Sequence, residues 1–474
     1  MGGASQVGLD GPRRRVGTVA GMQPSEQSWT EHVVWWHVYP LGFVGADTTG
    51  ADRSPAPRLL DLVPWLDHLV ALGANGLALG PVFASSTHGY DTIDWLRVDP
   101  RLGTDDDLAT LIDAAHEKGV RVMLDGVFNH VGPEFPALLE AQADPSSPAA
   151  GLFRRDDRGE LATFEGHGGL IALDHASPEV ARLVSEVLVH WADRGADAWR
   201  LDAAYSVPTD FWARVLPALR QRHPDVWVVG EVLHGDYAAI VREAGLDSVT
   251  QYELWQGVWH SLQDVNLHEL AWALTRHDEF LDAFVPLTFV GNHDVTRIAS
   301  QVDDERHHAH ATVLLLTLGG VPSIYSGDEL GLQGVKEERV GGDDAVRPAF
   351  PRWSGDDVAQ LVPGADASVL ALHQQLVGLR RRHPWLHAAR SRAVAVANES
   401  LVLELRPGTA GGGAGGGGGE AGGGEALVVA LNLGDEPLRV ADPAPGEYLA
   451  GRDSGLDGDE LVIGAHGWAV VVRR

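Results

Sequence analysis

The sequence predicts an α/β fold: a (β/α)8 TIM barrel with a short insertion after its third strand, followed by a C-terminal antiparallel β-sandwich domain. Eight short stretches rich in β-branched and aromatic residues alternate with segments of helical apolar spacing. This alternation is typical of a parallel sheet with helices outside it. Beyond residue 359 the helical segments give way to apolar runs such as SLVLELR and ALVVALNL, which indicate antiparallel strands.

The eight predicted strands are short apolar runs, most of which carry a polar residue in their second half. They are VVWWHVYP (33–40), GLALGPVF (76–83), RVMLDGVF (121–128), AWRLDA (198–203), WVVGEVL (227–233), SVTQYEL (248–254), VPLTFVGN (285–292) and PSIYSGDE (322–329). Between them, DDDLATLIDAAHEKG (105–119) begins with three acids and ends with Lys118 and Gly119, which are typical helix-terminus residues. Eight such units are the number that closes a barrel.

Composition changes along the chain predict its domains. The stretch after Arg15 is too short and too glycine-broken for a secretion signal, so we expect a loose leader, with Met22 as a possible start. About 70 residues rich in Pro, Gly and Asp separate the third and fourth strands, which indicates an insertion. The predicted units are a leader (1–28), a barrel (29–130 and 176–358), an insertion (131–175) and a C-terminal β domain (359–474) with a disordered Gly-rich loop (408–425).

Charge and cysteine content exclude several functions. The net charge is −30, so the surface repels phosphate backbones and we expect no nucleic-acid partner. No apolar run is long enough to span a membrane, so we expect no membrane partner either. The sequence has no cysteine, which excludes disulfides and thiolate chemistry and fits a cytoplasmic location. The sequence does not predict the oligomeric state.

Polar residues cluster where the predicted strands end. Asp125 lies in the third strand, Arg200 and Asp202 in the fourth, Glu231 in the fifth, and Asp294 follows the seventh. A lone acid at a strand end is usually a helix cap. Acids at the ends of four strands, however, would converge on the C-terminal face of a barrel, where such folds carry their active sites.

These segments resemble the α-amylase family of glycoside hydrolases (glycoside hydrolase family 13). Its four conserved regions are matched in order by DGVFNH (125–130), WRLDAA (199–204), VVGEVL (228–233) and VGNHD (290–294). HGYD (88–91) resembles the family's sugar-stacking region, and IYSGDELGL (324–332) resembles its eighth strand. The resemblance covers about residues 31–470, so the insertion would be the family's B domain.

The resemblance implies a role for each matching residue. Asp202 would be the nucleophile, Glu231 the general acid/base, and Asp294 the third acid, which holds sugar hydroxyls. Substrate-binding roles would fall to Tyr90, Asp125, His130, Arg200, His293, Asp343 and Arg347. A structural calcium ion, which the chemistry does not require, would be held by Asn129 and Asp174. No other cofactor is implied.

The chemistry explains why two carboxyl groups are needed. An acetal requires a proton on its leaving oxygen and a negative partner for the oxocarbenium-like centre. We expect Arg200 to keep Asp202 ionised and a drier setting to keep Glu231 protonated. The resemblance therefore implies a retaining α-glycosidase that hydrolyses maltooligosaccharides or related α-glucans by double displacement.

Three positions and one segment depart from the family pattern and leave specificity open. Tyr205 and Ser206 stand where endo-amylases usually have Lys and His, Thr87 stands where exo-glucosidases usually have Asp, and IALDHASPEV replaces the usual B-domain signature. A transglycosidase or isomerase of the trehalose- or sucrose-forming kind is the alternative. A non-catalytic sugar-binding relative is a third hypothesis, which the intact Asp202, Glu231 and Asp294 argue against.

Overall fold

A computed structural model gives the fold of the protein and describes residues 29–339, 341–353, 355, 357–408 and 425–474. The predicted leader (1–28) lies outside the described residues. So does the predicted Gly-rich loop (408–425), apart from its two end residues.

Eight parallel strands form a closed barrel. They are β1 (Trp35–Val38), β2 (Gly76–Leu79), β3 (Arg121–Gly126), β4 (Ala198–Leu201), β5 (Trp227–Gly230), β6 (Ser248–Val249), β7 (Leu287–Phe289) and β8 (Val321–Tyr325). Their order in the sheet is β6-β5-β4-β3-β2-β1-β8-β7. A parallel bridge between Thr250 and Leu287 joins β6 to β7 and closes the ring. Each strand overlaps one predicted stretch, and only β8 begins one residue earlier than predicted, so the predicted barrel is confirmed.

Strand alternation divides the barrel core into two layers. In β1, Trp35 points into the barrel, where it stacks on Trp227 of β5 with ring centroids 6.1 Å apart. Trp36, the next residue, points outward into the layer between the sheet and the helices. The strands are apolar on both faces because both are buried, as expected for a parallel sheet.

Helices cover the outside of the barrel. The longer ones are Trp65–Leu72, Asp105–Glu117, Pro178–Ala192, Thr209–Arg222, Tyr237–Ala244, Tyr252–Gln263, Leu267–Leu281, His308–Thr317 and Ala367–Arg382. The helix predicted over 105–119 begins one residue after Thr104, which forms a capping box with Asp107. Short helices occupy Pro40–Phe43, Ile298–Gln301 and Val358–Leu361. Within the described ranges, none of the helices combines the length and apolarity needed to cross a membrane.

The insertion lies between β3 and β4. It contains a three-stranded antiparallel sheet (His130–Val131, Thr163–Phe164 and His167–Ala172) and the helix Pro136–Ala143. A second excursion, the two-stranded sheet Phe83–Ser85 and Thr92–Val98, follows β2. Both inserted segments follow the C-terminal ends of barrel strands. They therefore lie on the face of the barrel where the polar residues cluster.

The C-terminal domain is an antiparallel sheet of six strands. They are β9 (Arg390–Val396), β10 (Ser400–Arg406), β11 (Leu427–Asn432), β12 (Leu438–Val440), β13 (Pro445–Asp457) and β14 (Glu460–Arg473). The first part of β14 pairs with β12 and its last part with β11, while β13 follows it along both. The sheet thus folds around an apolar core that includes Val428 and Ile463.

The barrel ends later than predicted. Residues 359–389 were assigned to the C-terminal domain, but the helix Ala367–Arg382 packs on the barrel. The buried Arg380 guanidinium donates to the carbonyls of Leu316, Leu318 and Gly320, which lie just before β8. The β domain therefore begins near Arg390, at β9.

A buried carboxylate fixes the end of β8. Glu329 is fully buried and accepts hydrogen bonds from Trp36 Nε1 (3.1 Å), His68 Nε2 (2.8 Å) and the amide of Gly327 (2.8 Å). Although burial opposes ionisation, the bond from His68 holds the pKa of Glu329 below its usual value. The carboxylate therefore ties β8 to β1 and to the first barrel helix.

We predict that Glu329→Ala lowers the free energy of unfolding by about 3–5 kcal/mol, because it leaves buried donors without an acceptor. Urea unfolding measures the change. Glu117→Ala, on the exposed end of the helix Asp105–Glu117, is the matched control and should stay within about 0.5 kcal/mol of the parent. Equal stability of the two variants would contradict this account of Glu329.

Candidate active site

The carboxyl ends of three neighbouring strands bring the predicted acids together. The register of the sheet places Asp125 of β3 beside Arg200 of β4, and Gly230 of β5 beside Leu201. Asp202 and Glu231 are the next residues of β4 and β5, so they emerge side by side at the rim. All four side chains are almost completely buried.

One guanidinium contacts all three carboxylates. Arg200 Nη1 lies 2.6 Å and 2.8 Å from the two oxygens of Asp125, and Nη2 lies 2.7 Å from Glu231 Oε1. The distance from Nη1 to Asp202 Oδ1 is longer, 3.3 Å. Arg200 therefore pairs more closely with Asp125 and Glu231 than with Asp202.

This arrangement differs from the expectation that Arg200 keeps Asp202 ionised. Burial and the neighbouring Glu231 carboxylate raise the pKa of Asp202 well above its usual value, and Arg200 only partly opposes them. Glu231 has an ion pair with Arg200 and also accepts a hydrogen bond from the amide of Ala203 at 2.9 Å. In the free protein, Glu231 is therefore held by the guanidinium of Arg200 and by a backbone amide.

The residue after Asp202 has a strained backbone conformation. Ala203 has φ 46° and ψ 35°, a left-handed conformation that is unusual for alanine. This conformation turns the Ala203 amide toward Glu231. Strain of this kind persists where the surrounding structure fixes it, and it is common at active sites.

Tyr252 and Asn292 connect Glu231 to Asp294. The hydroxyl of Tyr252 donates to Glu231 Oε1 at 3.3 Å and accepts from Asn292 Nδ2 at 3.0 Å. Asn292 Oδ1 in turn accepts from the amide of Asp294 at 2.8 Å. Sequence reasoning did not assign Tyr252, although its position near the end of the sixth predicted strand was a usable signal.

Asp294 is held by an imidazole and a guanidinium. His293 Nε2 lies 2.9 Å from Asp294 Oδ2, and Arg347 Nη2 lies 2.7 Å from Oδ1. Despite burial, these partners hold the pKa of Asp294 well below its usual value. The same Arg347 nitrogen lies 3.0 Å from Asp343 Oδ2. The structure thus brings Asp343 and Arg347 to the site, as the sequence predicted.

Tyr90 packs against the imidazole of His293. Their rings are parallel with centroids 5.4 Å apart, and the ring of Tyr39 is parallel to that of His293 with centroids 6.0 Å apart. The hydroxyl of Tyr90 donates to Asp125 Oδ2 at 3.2 Å. Tyr39 was not predicted as a site residue, although it lies next to the end of the first predicted strand.

His130 lies beside the site, but its nitrogens are occupied. Nε2 donates to the carbonyl of Tyr90 at 3.0 Å, and Nδ1 accepts from the Asn129 amide at 3.1 Å. The ring also stacks on Phe164 with centroids 4.9 Å apart. The predicted sugar contact through His130 is therefore not formed by a free nitrogen here. Instead, His130 positions Tyr90 and the insertion.

The predicted calcium ligands lie on adjacent chain segments. The amide of Leu173, next to Asp174, donates to the carbonyl of Asn129 at 3.1 Å. Asp174 Oδ1, however, accepts from the amide of Ala176, and the Asn129 amide group binds His130. Calcium takes six to eight oxygens, and these two side chains do not supply such a set. Calcium binding stays a prediction.

The insertion reaches the site through a hairpin tip. Tyr205, which stands where endo-amylases usually have lysine, donates its hydroxyl to Glu165 Oε1 at 2.8 Å. Phe164 lies between His130 and Tyr205. Thr87, at the other departing position, donates to Asp91 Oδ2 at 2.6 Å. Glu165 was not predicted, because nothing in the sequence pairs it with Tyr205.

A comparison of structures places the fold among sugar-cleaving barrel enzymes. The ligand-free structure of cyclic α-maltosyl-(1→6)-maltose hydrolase from Arthrobacter globiformis superposes with a TM-score of 0.76 and 25% sequence identity, covering 94% of this chain and 99% of that one. Residues 38–163 and 156–362 match the family model described as the α-amylase catalytic domain. The protein therefore belongs to the α-amylase family.

Curated relatives are longer than this chain. A cyclomaltodextrinase from Geobacillus thermopakistaniensis (strain MAS1) is 30% identical over 390 residues, covering 74% of this chain and 64% of the relative. A maltogenic α-amylase from Bacillus acidopullulyticus is 29% identical over 388 residues, covering 76% of this chain and 64% of the relative. The chain thus spans a little under two thirds of both relatives.

We predict that Asp202→Asn stabilises the fold at neutral pH by about 0.5–2 kcal/mol, the range of single stabilising substitutions. Because the pKa of Asp202 is raised in the folded state, stability falls as the pH rises from the ordinary pKa of an aspartate to the raised one, and the full penalty is present above it. The penalty shrinks as the pH falls toward the ordinary pKa, about 3.9, so the gain from the amide should shrink with it.

Urea unfolding of both proteins at pH 5 and pH 8 measures this difference. Asp113→Asn, on the exposed face of the helix Asp105–Glu117, is the matched control and should show no gain at either pH. A gain of the same size at both pH values would show that ionisation of Asp202 is not its cause.

Proposed function

We propose that the protein is a retaining α-glycosidase that hydrolyses α-glucosidic bonds in maltooligosaccharides or related α-glucans. The observation that carries this proposal is the pair of buried carboxylates, Asp202 and Glu231, at the ends of adjacent strands and in contact with the same guanidinium. Membership of the α-amylase family supports the same chemistry.

In the first step, a carboxylate oxygen of Asp202 attacks the anomeric carbon of the sugar. Glu231 gives its proton to the glycosidic oxygen, the bond to the leaving sugar breaks, and a covalent glycosyl ester forms. In the second step, Glu231 removes a proton from water, which attacks the anomeric carbon. The ester bond breaks, and Asp202 leaves as a carboxylate.

The proton required by Glu231 can come from within the carboxylate pair. Burial and Glu231 raise the pKa of Asp202, so this pair tends to retain a proton in the free protein. We propose that a sugar entering the site displaces the contact of Arg200 with Glu231. The shared proton then moves to Glu231 and leaves Asp202 charged for attack.

The remaining site residues would orient the sugar. Asp294, kept ionised by His293 and Arg347, is the strongest acceptor for sugar hydroxyls at this rim. The Tyr90 ring, supported by His293, offers an apolar face to the sugar ring. Asp343 acts through Arg347.

The substrate proposal is tested by product analysis. The protein is incubated with maltose, maltotriose, isomaltose, sucrose, trehalose, a cyclomaltodextrin and pullulan, and the products are separated by chromatography. Glucose or maltose from linear or cyclic α-glucans supports the proposal. Trehalose or sucrose isomers formed from maltose would favour the transglycosidase alternative instead. We also propose a cytoplasmic location, based on the cysteine-free sequence.

We predict that the first-formed product is the α-anomer, because two successive inversions at the anomeric carbon give net retention. Proton NMR of a fresh digest, recorded before mutarotation, distinguishes the anomers. Early release of the β-anomer would exclude Asp202 as a nucleophile even if the residue proved essential.

We predict that Glu231→Gln lowers turnover of maltotriose by about 100-fold or more, because a sugar leaving group needs a proton. An α-glucosyl fluoride should lose much less, since fluoride departs with little protonation. Azide should rescue this variant and yield an α-glycosyl azide. Asp202→Ala, the matched comparison, should show neither effect. Equal responses of the two variants would show that their roles are assigned wrongly.

A further inference from the structure

A second group of ligand-type side chains lies away from the rim, between the barrel and the C-terminal domain. Asp304 and His307 belong to the turn that precedes the helix His308–Thr317, and His466 belongs to β14. His307 and His466 are buried, and Asp304 is partly exposed. None of the three takes part in the chemistry proposed above.

The ligand atoms of this cluster are spaced as a metal ion would require. His307 Nε2 lies 3.0 Å from His466 Nδ1 and 3.9 Å from Asp304 Oδ2, and all three atoms lie within 4.8 Å of one another. Zinc bonds of about 2.0–2.2 Å at tetrahedral angles separate ligand atoms by about 3.3–3.5 Å. Shifts of under 1 Å at each side chain would therefore place the three ligand atoms at three corners of a tetrahedral site.

The outer contacts orient His466 as a ligand. Its Nε2 lies 3.0 Å from Asp435 Oδ1, so Nε2 carries the proton and Nδ1 presents a lone pair to the cluster. A carboxylate behind the distal nitrogen is the usual support of a metal-binding histidine.

Without a metal ion, the tautomer of His307 leaves a polar atom unsatisfied. If Nδ1 of His466 is unprotonated, His307 Nε2 must donate to it, and His307 Nδ1 then has no proton. Within the described residues, this buried Nδ1 atom has no hydrogen-bond partner. A bound cation would accept the lone pairs of His307 Nε2 and His466 Nδ1, and the proton of His307 would then lie on Nδ1.

The backbone at His466 is also unusual. Its φ of 52° is left-handed, although the residue lies in a strand and is not glycine. The conformation is fixed by a bond from its amide to the carbonyl of Gly434 at 3.1 Å and by a bond from Arg452 to its carbonyl at 3.1 Å. Such strain costs about 1–3 kcal/mol, which fits a specific use of this imidazole.

We propose that Asp304, His307 and His466 bind a zinc-type divalent cation that links the barrel to the C-terminal domain. Two imidazoles and a carboxylate suit zinc, and a water molecule would complete the tetrahedron. Asp304 also pairs with its exposed neighbour Arg306. A carboxylate offers about four lone-pair positions, so it can keep this partner and bind the cation.

The experiment uses the full-length protein, freed of metal by a chelator and then passed over a desalting column. After equilibration with zinc, we expect one zinc ion per chain by mass spectrometry of the metal. Zinc at about 100 times its Kd should raise Tm by about 3 °C. Cobalt(II) in place of zinc should give the intense visible absorption of a tetrahedral centre.

Asp304→Asn and His466→Asn test the assignment. Asparagine tolerates the left-handed backbone at position 466, so this variant removes the imidazole without adding strain. Both variants should lose the bound zinc, the rise in Tm and the cobalt spectrum. His223→Asn is the matched control, because His223 also pairs with an aspartate, Asp193, at 2.8 Å but lies outside the cluster. It should keep all three signals.

Two results would overturn the proposal. One is no zinc retained by the parent protein and no change in its Tm, which would make the cluster a hydrogen-bonded contact between domains. The other is equal zinc uptake by the parent and by both cluster variants, which would place the ion on other side chains. A variant that retains the parent's metal-free Tm shows that its loss of zinc is not due to misfolding.

Discussion

The active-site rim depends on the position of one guanidinium. Three buried carboxylates on adjacent strands would repel one another and could not all be charged without a cation between them. Arg200 supplies that cation from β4, and it contacts Asp125, Asp202 and Glu231 at once. The barrel makes this possible because its register places β3, β4 and β5 side by side with their carboxyl ends aligned.

The residues of the rim lower the stability of the folded state, and the rest of the fold compensates for this loss. The raised pKa of Asp202 and the left-handed Ala203 both oppose folding. The stacked tryptophans inside the barrel and the hydrogen-bonded Glu329 after β8 stabilise the fold. Enzymes commonly have a destabilising active site whose geometry is maintained by a stable scaffold around it.

Sequence alone could predict what local patterns specify. Strand periodicity predicted all eight barrel strands, and motif positions predicted that Asp202, Glu231 and Asp294 would meet at one rim. Contacts between distant segments were not predictable in this way. The Tyr252 bond to Glu231 depends on how β5 and β6 pair, and the occupied nitrogens of His130 depend on the path of Tyr90. The domain boundary was wrong because an amphipathic helix does not reveal which domain it covers.

The departures from the family pattern have a shared structural consequence. At the position of the usual lysine, Tyr205 replaces a mobile cation with a ring whose hydroxyl is bound to Glu165 of the insertion. Phe164, next to Glu165, packs on His130, which in turn holds the backbone of Tyr90. The hairpin tip of the insertion is therefore connected to both sides of the site. Under the proposed function, a change in this hairpin would alter how the site holds a sugar without touching the carboxylates, so substrate preference would vary here while the proposed chemistry at the barrel rim stays constant.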